Sequence, residues 1–277
     1  MVSNLQEPTE RHSDDLDGML RFMRAQTADH THRLAPAGVS KTLAFLGTTN
    51  APSSSLLVSA HEVIRVETSP GHKELQVRLR GRLTRPLAPR ESVTVLLVNL
   101  PTYRGYQIKT HQVLGTGGGS RLVEDANGEI LVHGRLVYTI HRGPNELTVF
   151  EKIPFEEVEA DVGSVRHALV GIGERSNISP RFVFHWEVRD GRPCMFHGDG
   201  YAHKTYLNLQ INHQETRVLV DLDSYSGYAF SGTTNELTPG SEQTPTNKIR
   251  DGFAAGGWGA PERAFEFCAD RWLPIAP

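Results

Sequence analysis

The chain has 277 residues, of which 38% are hydrophobic, and its 29 basic and 32 acidic residues leave a formal charge of −3. A chain of this length buries an ample core without metal or disulfide staples, and its well-mixed charges exclude a polybasic or acidic tail that would bind nucleic acid or membrane wholesale. The longest apolar runs, such as Val93 to Leu97, fall far short of the ~20 residues a bilayer span needs. The protein therefore reads as soluble and cytoplasmic, and Cys194 and Cys268, with no secretory signal ahead of them, read as reduced thiols, with disulfide pairing as the alternative.

Met1 to His12 is mostly polar and reads as a poorly ordered end. Ser13, Asp14 and Asp15 supply a cap and first-turn acids, and Leu16, Met19, Leu20 and Met23 share one face, which predicts a packing helix from about Asp14 to Gln26. From Thr42 the period changes to that of strands. Segments Lys41 to Thr48, Leu56 to Thr68, Glu74 to Leu83, Ser92 to Leu100, Tyr106 to Leu114, Ile130 to His141 and Glu146 to Ile153 are rich in Val, Leu, Ile and Thr. Gly, Pro and Asn clusters separate them at the spacing of an all-β barrel or sandwich. Gly117 to Gly119 reads as a hairpin loop, because no helix or GK[ST] follows it. An acidic connection, Pro154 to Gly163, leads into a second series of strands.

That second series repeats the first. A shift of 124 residues places Phe45-Leu46-Gly47 on Leu169-Val170-Gly171, a shift of 123 places Val95 to Leu100 on Val218 to Asp223, and a shift of 122 places Gly105-Tyr106 on Gly227-Tyr228. The order fits duplicated β units. The expected division is an N-terminal segment with one helix at 1–35, a worn half at 36–160, and a better-kept half at 161–277 that ends in a loop-rich tail. Within that tail, Thr238 to Lys248 and Gly252 to Pro261 read as loop, and Arg263 to Trp272 as a short helix or strand.

The densest chemistry lies between Asn177 and Leu222. Phe182, Phe184 and Trp186 alternate with Val183, His185 and Glu187, Arg189-Asp190-Gly191-Arg192 is a tight hairpin turn, and His203-Lys204 opens a short helix. Arg181, His203 and Lys204 can converge on an anion, with Ser179 and Thr205 as nearby hydroxyls and a helix N-terminus adding partial positive charge. Taken singly, each of these residues reads as an ordinary surface group. Thirteen histidines, among them His30, His32, His185, His197, His203 and His213, raise a metal or haem reading, although no HExxH or CxxC pattern accompanies them. A Ser-His-acid hydrolase does not fit, for want of a Gly-x-Ser-x-Gly elbow.

This arrangement resembles the FMN-binding split-barrel superfamily, whose best-known members are the pyridoxamine 5′-phosphate oxidases. The motifs that carry the resemblance are Arg181-Phe182-Val183-Phe184-His185-Trp186, Phe196-His197-Gly198-Asp199, Ala202-His203-Lys204 and Asn208 to His213. It is best over Gly171 to Leu237, and Trp186 and Ala202 stand where the family carries Lys and Ser. The resemblance implies a mainly β fold, a tandem-duplicated split barrel with a few short helices. It also implies a flavin whose phosphate meets Arg181, His203, Lys204, Ser179 and Thr205 and whose ring runs beside His197 and Gly198. In the first half Leu57 stands opposite Arg181, so at most one such site is expected per chain.

The function implied is an FMN-dependent oxidoreductase acting on an unknown small molecule, with the flavin between the two halves and no catalytic acid or base nameable. The alternative is a split barrel without flavin, either haem-handling or a non-enzymatic ligand binder. No metal is expected. The two halves would pair within the chain as a pseudo-dimer, with a further homodimer left open. The pyridoxal-phosphate substrate signature is absent from the C-terminal end, so vitamin B6 oxidation is not inferred.

Overall fold

The structure is a computed structural model. It describes residues 15–32, 42–50, 57–68, 74–80, 92–99, 104–111, 121–124, 129–142, 148–151, 165, 167–172, 176–181, 183–199, 204–221, 224, 226–238, 244–255 and 259–275. The chain is mainly β, with fifteen strands among these residues, all paired antiparallel in two sheets, and three short helices.

The strands are β1 (Thr42–Thr48), β2 (Leu57–Thr68), β3 (Glu74–Arg80), β4 (Ser92–Asn99), β5 (Arg104–His111), β6 (Arg121–Glu124), β7 (Glu129–Arg142), β8 (Thr148–Glu151), β9 (His167–Ile172), β10 (Asn177–Arg181), β11 (His185–Arg189), β12 (Arg192–Asp199), β13 (Gln214–Asp221), β14 (Gly227–Glu236) and β15 (Arg263–Ile275). The helices are α1 (Leu16–His32), α2 (Lys204–Ile211) and α3 (Thr244–Ala255).

One sheet closes on itself. β2 is long enough to serve twice: Leu57 to Glu62 pair with β9, and Glu62 to Thr68 pair with β3 across a register irregularity between Val63 and Arg65. Since β3 also pairs with β7, a ring runs β2, β3, β7, β5, β4, β9 and back to β2. Closure of this kind removes the exposed edges that make open sheets prone to aggregation. The other sheet runs β10, β1, β13, β14, β15, β12, β11, and its two ends are consecutive pieces of one stretch of chain. It is a ring split where β10 passes into β11.

Each ring takes one strand from the other part of the chain. β1 lies between β10 and β13, whereas β9 lies between β2 and β4. Two of the ladders share a register. Leu97 faces Tyr106 and Val98 faces Gly105, and 122 residues later Leu219 faces Tyr228 and Val220 faces Gly227. The ladders thus share the offset of 122 read from the Gly-Tyr pair, where the apolar run at Val95 alone suggests 123. A one-residue slip exchanges the two faces of a strand, and here both faces are apolar, so the run itself could not fix it. Gly227 is held by the ladder: a Cβ there would fall 1.8 Å from the Leu219 carbonyl oxygen.

Local chemistry accounts for the connections. Asp190 (φ 50°) and Gly191 (φ 74°) both occupy the left-handed region, which a two-residue type I′ turn demands, and Arg189 pairs with Arg192 across it. α1 runs six residues beyond the expected Gln26. Its Met19 and Met23 are buried against Ala44, Leu46, Met195, Leu219, Phe230 and Phe267, so the helix covers the split ring on the predicted face. The C-terminal region departs from expectation. Thr244 to Ala255 is a helix where a loop was read, begun by a threonine and by a proline whose missing N–H costs nothing in a first turn. Arg263 to Ile275 is a strand, one of the two alternatives read for that segment.

The cysteines also depart from expectation. Cys194 and Cys268 stand directly opposite each other on β12 and β15 with Cα atoms 4.1 Å apart, and they form a disulfide. The 74-residue separation it closes corresponds to about 4 kcal/mol of chain entropy removed from the unfolded state.

Candidate functional site

Two buried polar regions flank the part of the chain that carries the motifs. The first is a seam of neutral groups where β10 and α2 meet β1 and β4. The Thr94 hydroxyl lies 2.9 Å from both the carbonyl oxygen and the hydroxyl of Ser176. Asn177 Nδ2 donates to Thr205 Oγ1 at 3.2 Å, Ser179 Oγ lies 3.3 Å from the same atom, and Asn208 Nδ2 donates to Thr48 Oγ1 at 3.1 Å. All of these side chains are buried. The spacing is that of strand and helix: Asn177 and Ser179 share a face of β10, while Thr205 and Asn208 lie three apart on one face of α2.

The second region is charged and lies inside the split ring. Arg217 on β13 is fully buried beside the equally buried Glu215, with Nε 2.5 Å from Oε1. Thr234 Oγ1 donates to the other carboxylate oxygen at 2.8 Å. The guanidinium spans the ring: Nη1 donates to the Met195 carbonyl oxygen at 3.3 Å, and Nη2 lies 2.8 Å from His197 Nδ1. It also sits 4.5 Å over the Phe267 ring, and His197 stacks on Phe265 at 5.1 Å. A guanidinium has only donors, so His197 Nδ1 accepts and the ring carries its proton on Nε2. Burial pulls Arg217 below its ordinary value, opposed first by the charge of Glu215, then by their hydrogen bond, and last by Asp199.

The sequence-predicted residues divide between these regions. Ser179 and Thr205 come together, and their contact ties the end of β10, which carries Arg181, to the first turn of α2, which opens at the half-buried Lys204. Arg181 pairs with Ala44 through its backbone. Its side chain, all of His203, Ala202 and Gly117 to Gly119, and the side chains of His30, His32 and Leu57, lie outside the described residues. His197 and Gly198 are consecutive on β12 and so face opposite sides of the sheet. His197 points into the ring. Gly198 lies beneath α3, where a Cβ would meet Ile249 Cγ2 at 2.6 Å and Phe253 Cε2 at 2.7 Å. A ring laid along one face of β12 can meet only one of the two, and each face is already filled by protein.

Sequence reasoning missed Arg217 and Glu215. Charges two apart on a strand normally mark a solvent face. The available signal was that the rest of that strand, Val218 to Val220, is apolar on both faces and leaves no solvent side for a charged pair.

No protein-family model matches the chain, and no curated protein matches it. Among solved structures, the chain is similar to tagged HupZ of Group A Streptococcus at 21% identity and a TM-score of 0.30, covering 37% of this chain and 76% of that one. A histidine-to-alanine variant of HupZ gives 21% identity, a TM-score of 0.29, and coverage of 37% and 80%. No helix among the described residues is long and apolar enough to cross a membrane.

Proposed function

We propose that this chain is a tandem split barrel that binds a small anionic molecule and does not hold flavin in the manner its motifs imply. The halves would be 36–160 and 161–277, paired within the chain. The observation that carries the reading is the state of β12: His197 is taken up by Arg217 and Phe265, and Gly198 by α3. An isoalloxazine beside that strand would have to displace one or the other. The ligand end of the proposal is supported by the Ser179 to Thr205 contact, which joins β10 to the first turn of α2, the helix that Lys204 opens. A lysine at a helix N-terminus, with hydroxyls beside it, favours an anion.

A flavin oxidoreductase is the second reading, favoured by the motifs that hold Arg181 and Lys204, and haem is the third group the fold resemblance admits. The absorbance of the purified protein separates them. A colourless protein that takes up inorganic phosphate or a small organic phosphate, but neither FMN nor haem, supports the proposal. A flavin spectrum supports the second reading, and a Soret band supports haem. Arg181→Ala with Lys204→Ala is expected to weaken binding of the anion by about 1.5–3 kcal/mol for each charged hydrogen bond removed. Unchanged affinity removes both residues from the site.

A further inference from the structure

The outer face of β11, β12 and β15 holds donors that the proposed function does not use. Cys194 and Cys268 face each other across the ladder, and Glu266 precedes Cys268 by two residues on the same side. Glu266 Oε1 lies 3.4 Å from Cys268 Sγ. A disulfide sulfur has no proton to donate, so this contact is not a hydrogen bond in the oxidised protein. The three donor atoms lie within 4.8 Å of one another. Glu187 on β11 stands directly opposite Cys194, and Arg189 binds the carboxylates of both Glu187 and Glu266 while lying 5.3 Å from the centre of the Phe196 ring. The two carboxylates of the patch already hold one cationic side chain.

We propose that, when the disulfide is reduced, Cys194, Cys268 and Glu266 form a binding site for a divalent cation of the zinc class. Glu187 is placed to supply a fourth ligand. Two thiolates and one or two carboxylates suit a borderline-soft cation with tetrahedral preference, and sulfurs bound to one zinc stand about 3.8 Å apart, given bonds of about 2.3 Å. Side-chain rotation across a directly opposed pair supplies that separation. The reductant is a dithiol. It passes two electrons and two protons to the protein disulfide, giving two protein thiols and its own cyclic disulfide, and the incoming metal then displaces the two thiol protons to solvent. One cysteine pair thus has two exclusive states, a covalent bond or a chelate. Arg189 is a competitor for the carboxylates, and its removal frees them for the metal.

The test is a cadmium titration of the full chain, reduced with excess dithiol, freed of it without oxygen, and followed by thiolate-to-cadmium charge-transfer absorbance. The proposal expects one equivalent bound by the reduced protein and none by the oxidised one, with both thiols shielded from a thiol reagent. Glu266→Gln should weaken binding at least tenfold, and Arg189→Gln should tighten it. The proposal is overturned if the reduced, folded protein keeps both thiols reactive under excess cadmium, if Cys194→Ser binds as well as the parent, or if Glu266→Gln and Arg189→Gln both leave affinity unchanged. Circular dichroism covers the remaining case. A chain that unfolds on reduction and refolds with cadmium supports the site, whereas one that cadmium does not refold overturns it.

Discussion

The seam and the ring interior bury polar groups by opposite means. At the seam, hydroxyls and amides from β1, β4, β10 and α2 satisfy one another without a formal charge. Inside the ring, a charged pair is taken fully out of water and held by Thr234, His197, the Met195 carbonyl and an aromatic face. Neutral networks cost little to assemble and fail gently. A buried ion pair gains little over an apolar pair of the same shape, yet it fails badly when one member is lost, because the other stays charged and dry. The seam is thus a joint that tolerates change, and the ring interior is a fixed point.

Arg217→Ala tests that contrast most severely. It strands Glu215 in the core and is expected to cost about 3–5 kcal/mol in chemical denaturation, whereas Arg217→Met with Glu215→Leu should recover most of the loss. If the double variant is no better than the single one, the pair is a net stabiliser and the contrast is misjudged. Gly198→Val tests the packing of α3 on β12. The added side chain meets Ile249 and Phe253, and a loss of about 1–3 kcal/mol is expected, together with a changed near-ultraviolet dichroism from the displaced aromatics. Full stability in this variant would mean that α3 does not rest there.

Thr94→Val probes the seam. It removes the hydroxyl that bridges β4 to Ser176 and should cost about 1 kcal/mol. A loss as large as that of Arg217→Ala would erase the distinction between the two regions.

The smallest effect is expected where α1 meets the split ring. Burial raises the Tyr228 hydroxyl above its ordinary value, and the charge of Asp15, 3.3 Å from it, adds to the rise. The folded state therefore keeps this proton after the unfolded state has released it. The resulting stability is present below the ordinary tyrosine value of about 10 and declines as pH rises past it. Tyr228→Phe should flatten that alkaline decline without abolishing the fold, and an identical decline in the variant would assign it to other groups.

These particulars also show how far the sequence could be read. The hairpin at Asp190-Gly191, the helix opening at Lys204 and the face of α1 are set by local chemistry, and each lies where its residues place it. The exchange of β1 and β9 between the rings is not local. Strand patterning tells a strand which face to bury, and both possible neighbours offer an apolar one. The helix at Thr244 was hidden because a composition of Thr, Pro, Asn and Gly counts as loop, although the Thr-Pro start and the apolar spacing of Ile249 and Phe253 mark a helix. Among the site residues, Ser179 and Thr205 were read as hydroxyls near one anion, and their side chains touch each other. His197 and Gly198 were read together as the strand beside a flavin ring, and on β12 their side-chain positions face opposite sides of the sheet.

The account stands most directly on whether β12 has room for a flavin. Equilibrium titration of the purified, folded chain with FMN, followed by flavin fluorescence, measures this. The expected result is a protein without flavin absorbance that leaves FMN fluorescence unchanged while still binding phosphate. A yellow protein that releases FMN on denaturation, or one that quenches FMN stoichiometrically, would contradict it.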